Sequence, residues 1–250
     1  MTWILCLNAD LGELPGPEGR ALDEDMLRVV TRCNIACGGH AGDDASMRAT
    51  IRAARDNSVR IGAHPSYPDL ENFGRRTLKM SPQELAALLM AQIRRLLVIA
   101  AEENAAVAHL KPHGALYNDA ARDAGLASVI AGVTADAGLR ELVGPPGSKL
   151  MHAARAAGLG YLAEGFADRS YEPDGVLTPR SLPGAVLEDS AAVLTQALDF
   201  ARDGSVAVRG GGRIALAIDT LCLHSDTPGA AEHARLLRTG LEAAGIKVRA

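Results

Sequence analysis

The amino-acid sequence predicts an α/β fold in which parallel strands are joined by helical crossovers. Short apolar runs alternate with segments of helical period along the whole chain. No repeat, low-complexity tract or long linker divides it, so a single domain over residues 1–250 is expected, a length one all-β or α/β barrel often uses. The residues best suited to chemistry fall just after the predicted strands, where parallel α/β folds place their ligands.

The elements follow in order. Residues 3–9 read as the first strand, and Leu22, Met26, Val29 and Val30 recur at helical spacing behind it. Residues 34–37 form a second short strand, Met47, Ile51 and Ala54 mark the next helix, and residues 60–63 read as a third strand. Ser81, Pro82 and Glu84 make a capping-box signature with proline at the first helical position, opening a helix that runs to about Glu103. Residues 107–110 are the fourth strand, followed by a helix carrying Leu126, Val129, Ile130 and Val133. Residues 142–143 and 161–162 read as further strands, and Val193, Leu194, Ala197, Leu198 and Ala201 share one helical face. Residues 206–217, with Gly210, Gly211 and Gly212 at the centre, break the rhythm and read as a hairpin with a tight turn. Residues 221–223 are the last strand, and a final helix carries Leu236, Leu237 and Leu241.

Bulk properties exclude several classes of function. A net charge of −4 gives no electrostatic footprint for nucleic acid. No apolar run reaches the roughly 18 residues a spanning helix needs, so no membrane role is expected. The apolar start lacks a basic segment and meets Asp10 early, unlike a signal peptide. Four cysteines without a secretory signal then point to the cytoplasm, with free thiols. Cys33, Cys37 and His40 suggest zinc at first sight. No second Cys/His pair completes the four ligands of a closed site, so the cysteines read as small core residues.

Asn8 and Asp10 end the first strand and Glu13 lies just beyond. His40 follows the second strand, His64 ends the third and His113 follows the fourth. Glu164 and Asp168 border a later strand, while His224 and Asp226 follow the last. In a parallel fold these scattered residues meet at one mouth. Strand parity gives Asn8 and Asp10 a common face, and likewise His109, Lys111 and His113; in a closed barrel that face can be the lumen, with His109 deepest. Each has a plainer reading: Asp10, Asp43 or Asp44 as helix starts, His64-Pro65 as a turn. His152 and His233 lie on predicted helices and read as surface or packing residues. The run from Gly144 to Lys149 lacks the spacing of a phosphate loop and reads equally as a strand-to-helix turn, and no G-x-S-x-G elbow is present.

The segments LNADLGE, NIACGGHAGD, IGAHPSYPD, FGRR, LKPHGALYN, EGFADRSYEPDGVLTPRS and LCLHSDTPGA closely resemble the 5-oxoprolinase A-subunit family, also called LamB/YcsF. The resemblance runs in order from Leu7 nearly to the C-terminus. One departure stands at Gly39, where the family usually has Phe, which predicts a lost aromatic contact and a looser turn beside His40. The resemblance implies a TIM-like β/α barrel related to the glycoside hydrolase and deacetylase superfamily. It implies an ATP-dependent opening of 5-oxo-L-proline (pyroglutamate) to L-glutamate, performed with partner subunits B and C. Without a recognisable phosphate loop, the ATP contacts are expected mainly on the partners; a divalent metal is left open.

Within that chemistry Asp10 or Glu13 is expected to activate water, and His40, His64 and His113 to shuttle protons or hold developing negative charge. Asn8, Lys111, Arg76, Glu164, Asp168, Arg169, His224 and Asp226 are expected to bind substrate, with Lys111 pairing a carboxylate or phosphate and Arg75 and Arg180 as further anion candidates. Two competing readings remain at this point. One is a metal-dependent deacetylase or amidohydrolase using Asp10, His40 and His64 as an open site. The other is a non-catalytic binding role within the complex.

Overall fold

A computed structural model of the chain describes residues 4–223 and 229–250. Seven parallel strands close on themselves: β1 (Ile4–Leu11), β2 (Arg32–Ala36), β3 (Arg60–His64), β4 (Val107–Leu110), β5 (Glu141–Gly144), β6 (Gly160–Phe166) and β9 (Thr220–Leu223), which pairs back onto β1. The expected α/β barrel is therefore the one observed, with seven strands where a standard TIM barrel has eight. The predicted hairpin is β7 (Ser205–Ala207) against β8 (Arg213–Ala215), antiparallel and outside the barrel. A short strand β10 (Lys247–Val248), with no counterpart in the sequence-based reading, pairs in parallel with the start of β1.

Strand chemistry explains the closure. In β1 the residues Leu5, Leu7, Ala9 and Leu11 are buried in the main hydrophobic core, whereas Cys6, Asn8 and Asp10 alternate with them toward the lumen. Cys33 and Ile35 of β2, Leu110 of β4, and Leu221 and Leu223 of β9 repeat the outward pattern. Against these faces pack α1 (Gly16–Leu27), α2 (Asp44–Asp56), α3 (Pro82–Glu102), α4 (Gly114–Arg122), α5 (Ala124–Asp136), α6 (Lys149–Ala156), α7 (Ser190–Asp203) and α8 (Ala230–Ala243). In α3 the buried residues Leu85, Leu89, Ile93 and Leu96 lie along one stripe, all inaccessible to solvent. Ser81 and Glu84 form the expected capping box of α3, and Asp43, rather than Asp44, caps α2. No helix among the described residues is long and apolar enough to cross a membrane.

The lumen is polar, unlike the branched aliphatic filling common in such barrels. Asn8 Nδ2 donates to Thr220 Oγ1 at 2.8 Å, Asn34 Nδ2 donates to Asn8 Oδ1 and to Asp10 Oδ1 at 2.8 Å each, and His109 Nε2 donates to Asn34 Oδ1 at 2.9 Å. Burial drives the His109 ring well below its ordinary pKa, so it stays neutral. Gly62 makes room for it, since a Cβ on Gly62 would overlap the His109 ring. This chain of amides and one imidazole ties four strands together and forms the floor under the mouth.

Candidate active site

Every strand that carries chemistry delivers it to the same end. Asp10 and Glu13 leave β1, His64 ends β3, Lys111 and His113 follow β4, and Glu164 stands inside β6 rather than at its border. Asp10, Glu13, His64, Lys111 and His113 line one cavity of about 420 Å³ with Tyr117, Phe166 and the rim arginines Arg75, Arg122 and Arg180. His40 is buried beside them but lies behind the cavity wall.

Two clusters share this floor. In the first, Lys111 Nζ lies 2.9 and 3.1 Å from the two oxygens of Asp10, 2.9 Å from Glu164 Oε1 and 3.3 Å from Cys222 Sγ. An ammonium has three hydrogens, so these partners commit it. Burial opposes the charge on Lys111, but the Asp10 and Glu164 carboxylates outweigh it and hold the pKa well above the usual range. Burial likewise works against ionised Asp10, and the charges of His64 and Lys111 overcome it and hold the carboxyl well below its usual range.

In the second cluster four side chains converge. His40 Nε2 lies 2.9 Å from Glu13 Oε1, His113 Nδ1 lies 3.3 Å from the same oxygen and 3.0 Å from His64 Nε2, and His64 Nε2 lies 3.3 Å from Asp10 Oδ2. His64 Nδ1 donates to the Lys111 carbonyl at 2.7 Å, and His113 Nε2 donates to the Phe73 carbonyl at 2.9 Å. Phe73 holds a positive φ of 55°, uncommon for a bulky residue, and this backbone turn aims its carbonyl at His113. Burial takes His40 down to about 4 despite its bond to Glu13. Burial opposes ionised Glu13 too, but the His113 and His40 rings beside it keep it well below the ordinary range. His64 is shifted upward, because the Asp10 carboxylate outweighs the cost of burial. Ligand atoms of Glu13, His40, His64 and His113 all lie within 4.8 Å of one another, close enough for some of them to hold a metal ion.

Known proteins share this arrangement of sequence and fold. The family model described as LamB/YcsF matches residues 5–250. The chain belongs to the LamB/YcsF family. It is 52% identical to the 5-oxoprolinase A subunit of Chloroflexus aggregans, over 97% of each chain. It is 50% identical to the protein of the same name from Methylococcus capsulatus, over 100% of this chain and 96% of that one. The crystal structure of a lactam utilization protein from Thermus thermophilus superposes with a TM-score of 0.90 at 39% identity, covering 99% of both chains.

Within this LamB/YcsF chain the remaining expected site residues fall in different places. Asn8 lies beneath the cavity floor and spends its amide on Thr220 and Asn34. Arg169 borders the cavity, yet its guanidinium donates to the carbonyls of Ala185 at 3.1 Å and Thr178 at 2.6 Å, pinning the loop after β6. Asp168 is half-buried and, like the exposed Arg76, is not part of the cavity wall. His224 and Asp226 lie outside the described residues. His152 and His233 stay away from the cavity, on α6 and α8. The cysteines are buried and free, and burial pushes the Cys37 thiol up to about 12.

Asn34, Tyr117, Arg122 and Phe166 join the site without standing out in the sequence. Asn34 does carry a signal, an amide between Cys33 and Ile35 in a strand otherwise made for packing. Tyr117 stands four residues after His113, one helical turn on, but the short helix that carries it has no clear periodic pattern. The expected looseness at Gly39 is corrected: a Cβ there would lie 2.5 Å from both Gln92 Oε1 and Ser66 Oγ, so the turn is filled. Gln92 accepts from Ser66 N at 3.1 Å and donates to Ser66 O at 2.8 Å, latching α3 to the loop after β3. The Gly144–Lys149 segment is a helix-capping turn, with Ser148 Oγ accepting from Met151 N and Tyr161 Oη donating to the Pro145 carbonyl.

Proposed function

We propose that this chain is the A subunit of a 5-oxoprolinase, opening 5-oxo-L-proline to L-glutamate with partner subunits B and C and coupled to ATP hydrolysis. The observation that carries this reading is the single mouth in which Asp10, Glu13, His64 and His113 meet under a rim of arginines, in a chain half-identical to proteins named as 5-oxoprolinase A subunits. The cavity suits a small polar lactam. Arg75, Arg122 and Arg180 border the cavity with guanidinium groups suited to the substrate carboxylate, while Lys111 is held by Asp10 and Glu164.

Hydrolysis needs a proton taken from water as it attacks the ring carbonyl and a proton given to the ring nitrogen as the C–N bond breaks. Asp10, anionic and open to the cavity, serves both in turn: it accepts the first proton and returns it to the leaving amine. Lys111 keeps that carboxylate charged and fixed between uses. The amine stays tethered beside the new carboxylate, and intramolecular reactions of that kind reach effective molarities of about 10⁵–10⁸ M, so reclosure competes strongly. Coupling to ATP supplies the drive.

Reconstitution tests the reading. The chain alone, then combined with subunits B and C, is scored for glutamate formed from 5-oxo-L-proline with and without ATP. Glutamate is expected only from the complete set with ATP. Equal turnover when this chain is left out would remove it from the reaction.

A further inference from the structure

The histidine cluster contains a contact that neutral side chains do not make. Carbonyl oxygens only accept, so His64 carries its hydrogen on Nδ1, facing the Lys111 carbonyl, and His113 carries its hydrogen on Nε2, facing the Phe73 carbonyl. With each ring carrying only that one hydrogen, His64 Nε2 and His113 Nδ1 are bare and face each other at 3.0 Å, with Glu13 Oε1 3.3 Å from His113 Nδ1 and 3.8 Å from His64 Nε2. Three acceptors around one point call for a cation between them.

We propose that Glu13, His64 and His113 hold one divalent transition-metal ion, with its remaining coordination positions open to the cavity. Bonds of about 2.0–2.2 Å from zinc to imidazole nitrogen or carboxylate oxygen leave neighbouring donor atoms roughly 3–3.5 Å apart, and the 3.0, 3.3 and 3.8 Å separations bracket that range. The His64 and His113 rings are perpendicular, at 90°, so the lone pairs of both can point at one ion. Each outer N–H is fixed by a main-chain carbonyl, the second layer that orients imidazole ligands in metal sites. Three protein ligands with open positions are the pattern of catalytic rather than structural centres.

His40 is the fourth candidate by distance, and its geometry excludes it. Its ring stacks on His113 at 3.5 Å between centroids and 3° between planes. An imidazole lone pair lies in the ring plane, and two parallel planes do not meet, so one ion cannot lie in both. His40 also stays out of the cavity wall that Glu13, His64 and His113 line. It is instead a positioning residue, holding Glu13 through Nε2 at 2.9 Å. The ion proposed here differs from the Asp10, His40 and His64 set expected from strand order: Asp10 is taken by Lys111, and His40 lies flat against His113.

This assignment deepens the lactam-opening reading by naming what faces the attacking water, yet its test needs no substrate, ATP or partner. Metal-free protein is titrated with Co²⁺, followed by visible absorption and elemental analysis, and with Zn²⁺ by calorimetry. One ion per chain is expected. Proton NMR of the Co²⁺ form is expected to show two hyperfine-shifted exchangeable ring N–H signals, from His64 and His113; three would place His40 on the ion, and none would abolish the site. H64Q and H113Q are expected to lose at least about 100-fold in Zn²⁺ affinity, and H40Q about 10-fold, the lower end for an outer-layer residue. Equal losses in H40Q and H64Q would overturn the ligand set. No saturable uptake by the wild-type chain at micromolar metal would overturn the site and leave a shared proton between the two rings, whatever the reconstituted complex does with 5-oxo-L-proline. If H64Q or H113Q fails to fold, the wild-type NMR count decides alone.

Discussion

Lys111 reaches across the barrel mouth to Asp10 with Nζ 2.9 and 3.1 Å from its two oxygens, and its other side meets Glu164 at 2.9 Å. One cation thus compensates two carboxylates, with Lys111 and Glu164 almost fully buried. Removing one member of a buried ion pair typically costs about 3–5 kcal/mol, because the partner is left charged and unpaired. Lys111→Met is expected to lower stability by that amount in urea denaturation. Adding Glu164→Gln to it is expected to recover part of the loss, since one of the two stranded charges disappears. A single variant as stable as the wild type would show that the lumen tolerates both carboxylates without Lys111.

Asp10→Asn separates chemistry from architecture. The amide oxygen still accepts from Lys111 and Asn34, so the thermal midpoint is expected to stay within a few degrees of wild type. Proton transfer is lost, and general acid–base groups contribute about 10²–10⁴-fold. In the assembled complex kcat for ATP-coupled glutamate formation is expected to fall by that factor with KM little changed. Retained turnover would take Asp10 out of the mechanism.

Asp23 gives the fold a pH dependence of its own. Its Oδ2 accepts from Gly12 N at 2.9 Å and from Thr50 Oγ1 at 3.1 Å, supporting the turn that carries Glu13. Burial dominates those bonds and raises its pKa to about 6. The unfolded chain ionises this carboxyl near 3.9. Between about pH 4 and pH 6 the folded state therefore holds more protons, and stability contributed by this group falls as pH rises through that window, then levels off. Two units amount to about 3 kcal/mol at most. Asp23→Asn, which keeps an acceptor for both donors, is expected to be more stable than wild type by about 1–2 kcal/mol above pH 6, with the gain vanishing below pH 4. Chemical denaturation at pH 4, 5, 6 and 7 measures it; a gain that does not depend on pH would mean Asp23 is not held protonated.

The legible part of this protein is its rhythm. Strand-then-helix periodicity locates the barrel strands to within a few residues, and the capping residues mark the starts of α2 and α3, because both are local patterns written in neighbouring residues. Parity places His109 deepest and His113 at the opening, and the lumen bonds follow that order. Strand β6 is longer than its pattern suggests, since Ala163, Glu164 and Gly165 carry no preference for a strand, and so Glu164 lies inside the lumen rather than at the strand's edge. Helix α4 is hidden because it begins at a glycine with positive φ and spans nine residues, too few for a period to show. Which histidines face each other depends on the Lys111 carbonyl just after β4 and the carbonyl of the Phe73 turn, contacts between segments distant in sequence that no spacing rule contains.

Gly39 tests how such distant contacts are enforced. Its missing Cβ is the space into which Gln92 of α3 reaches to bond both main-chain groups of Ser66, one residue beyond His64-Pro65. Gly39→Phe forces that latch open and is expected to cost about 1–3 kcal/mol, the usual penalty for overpacking. Gln92→Ala loses two hydrogen bonds but clears room for the ring. The double variant is therefore expected to be more stable than the sum of the two single losses predicts, by about 1 kcal/mol or more, a coupling typical of residues in contact. Thermal and urea unfolding of the four proteins closes the cycle. Additive losses would mean that Gln92 is not what fills the place of an aromatic ring beside His40.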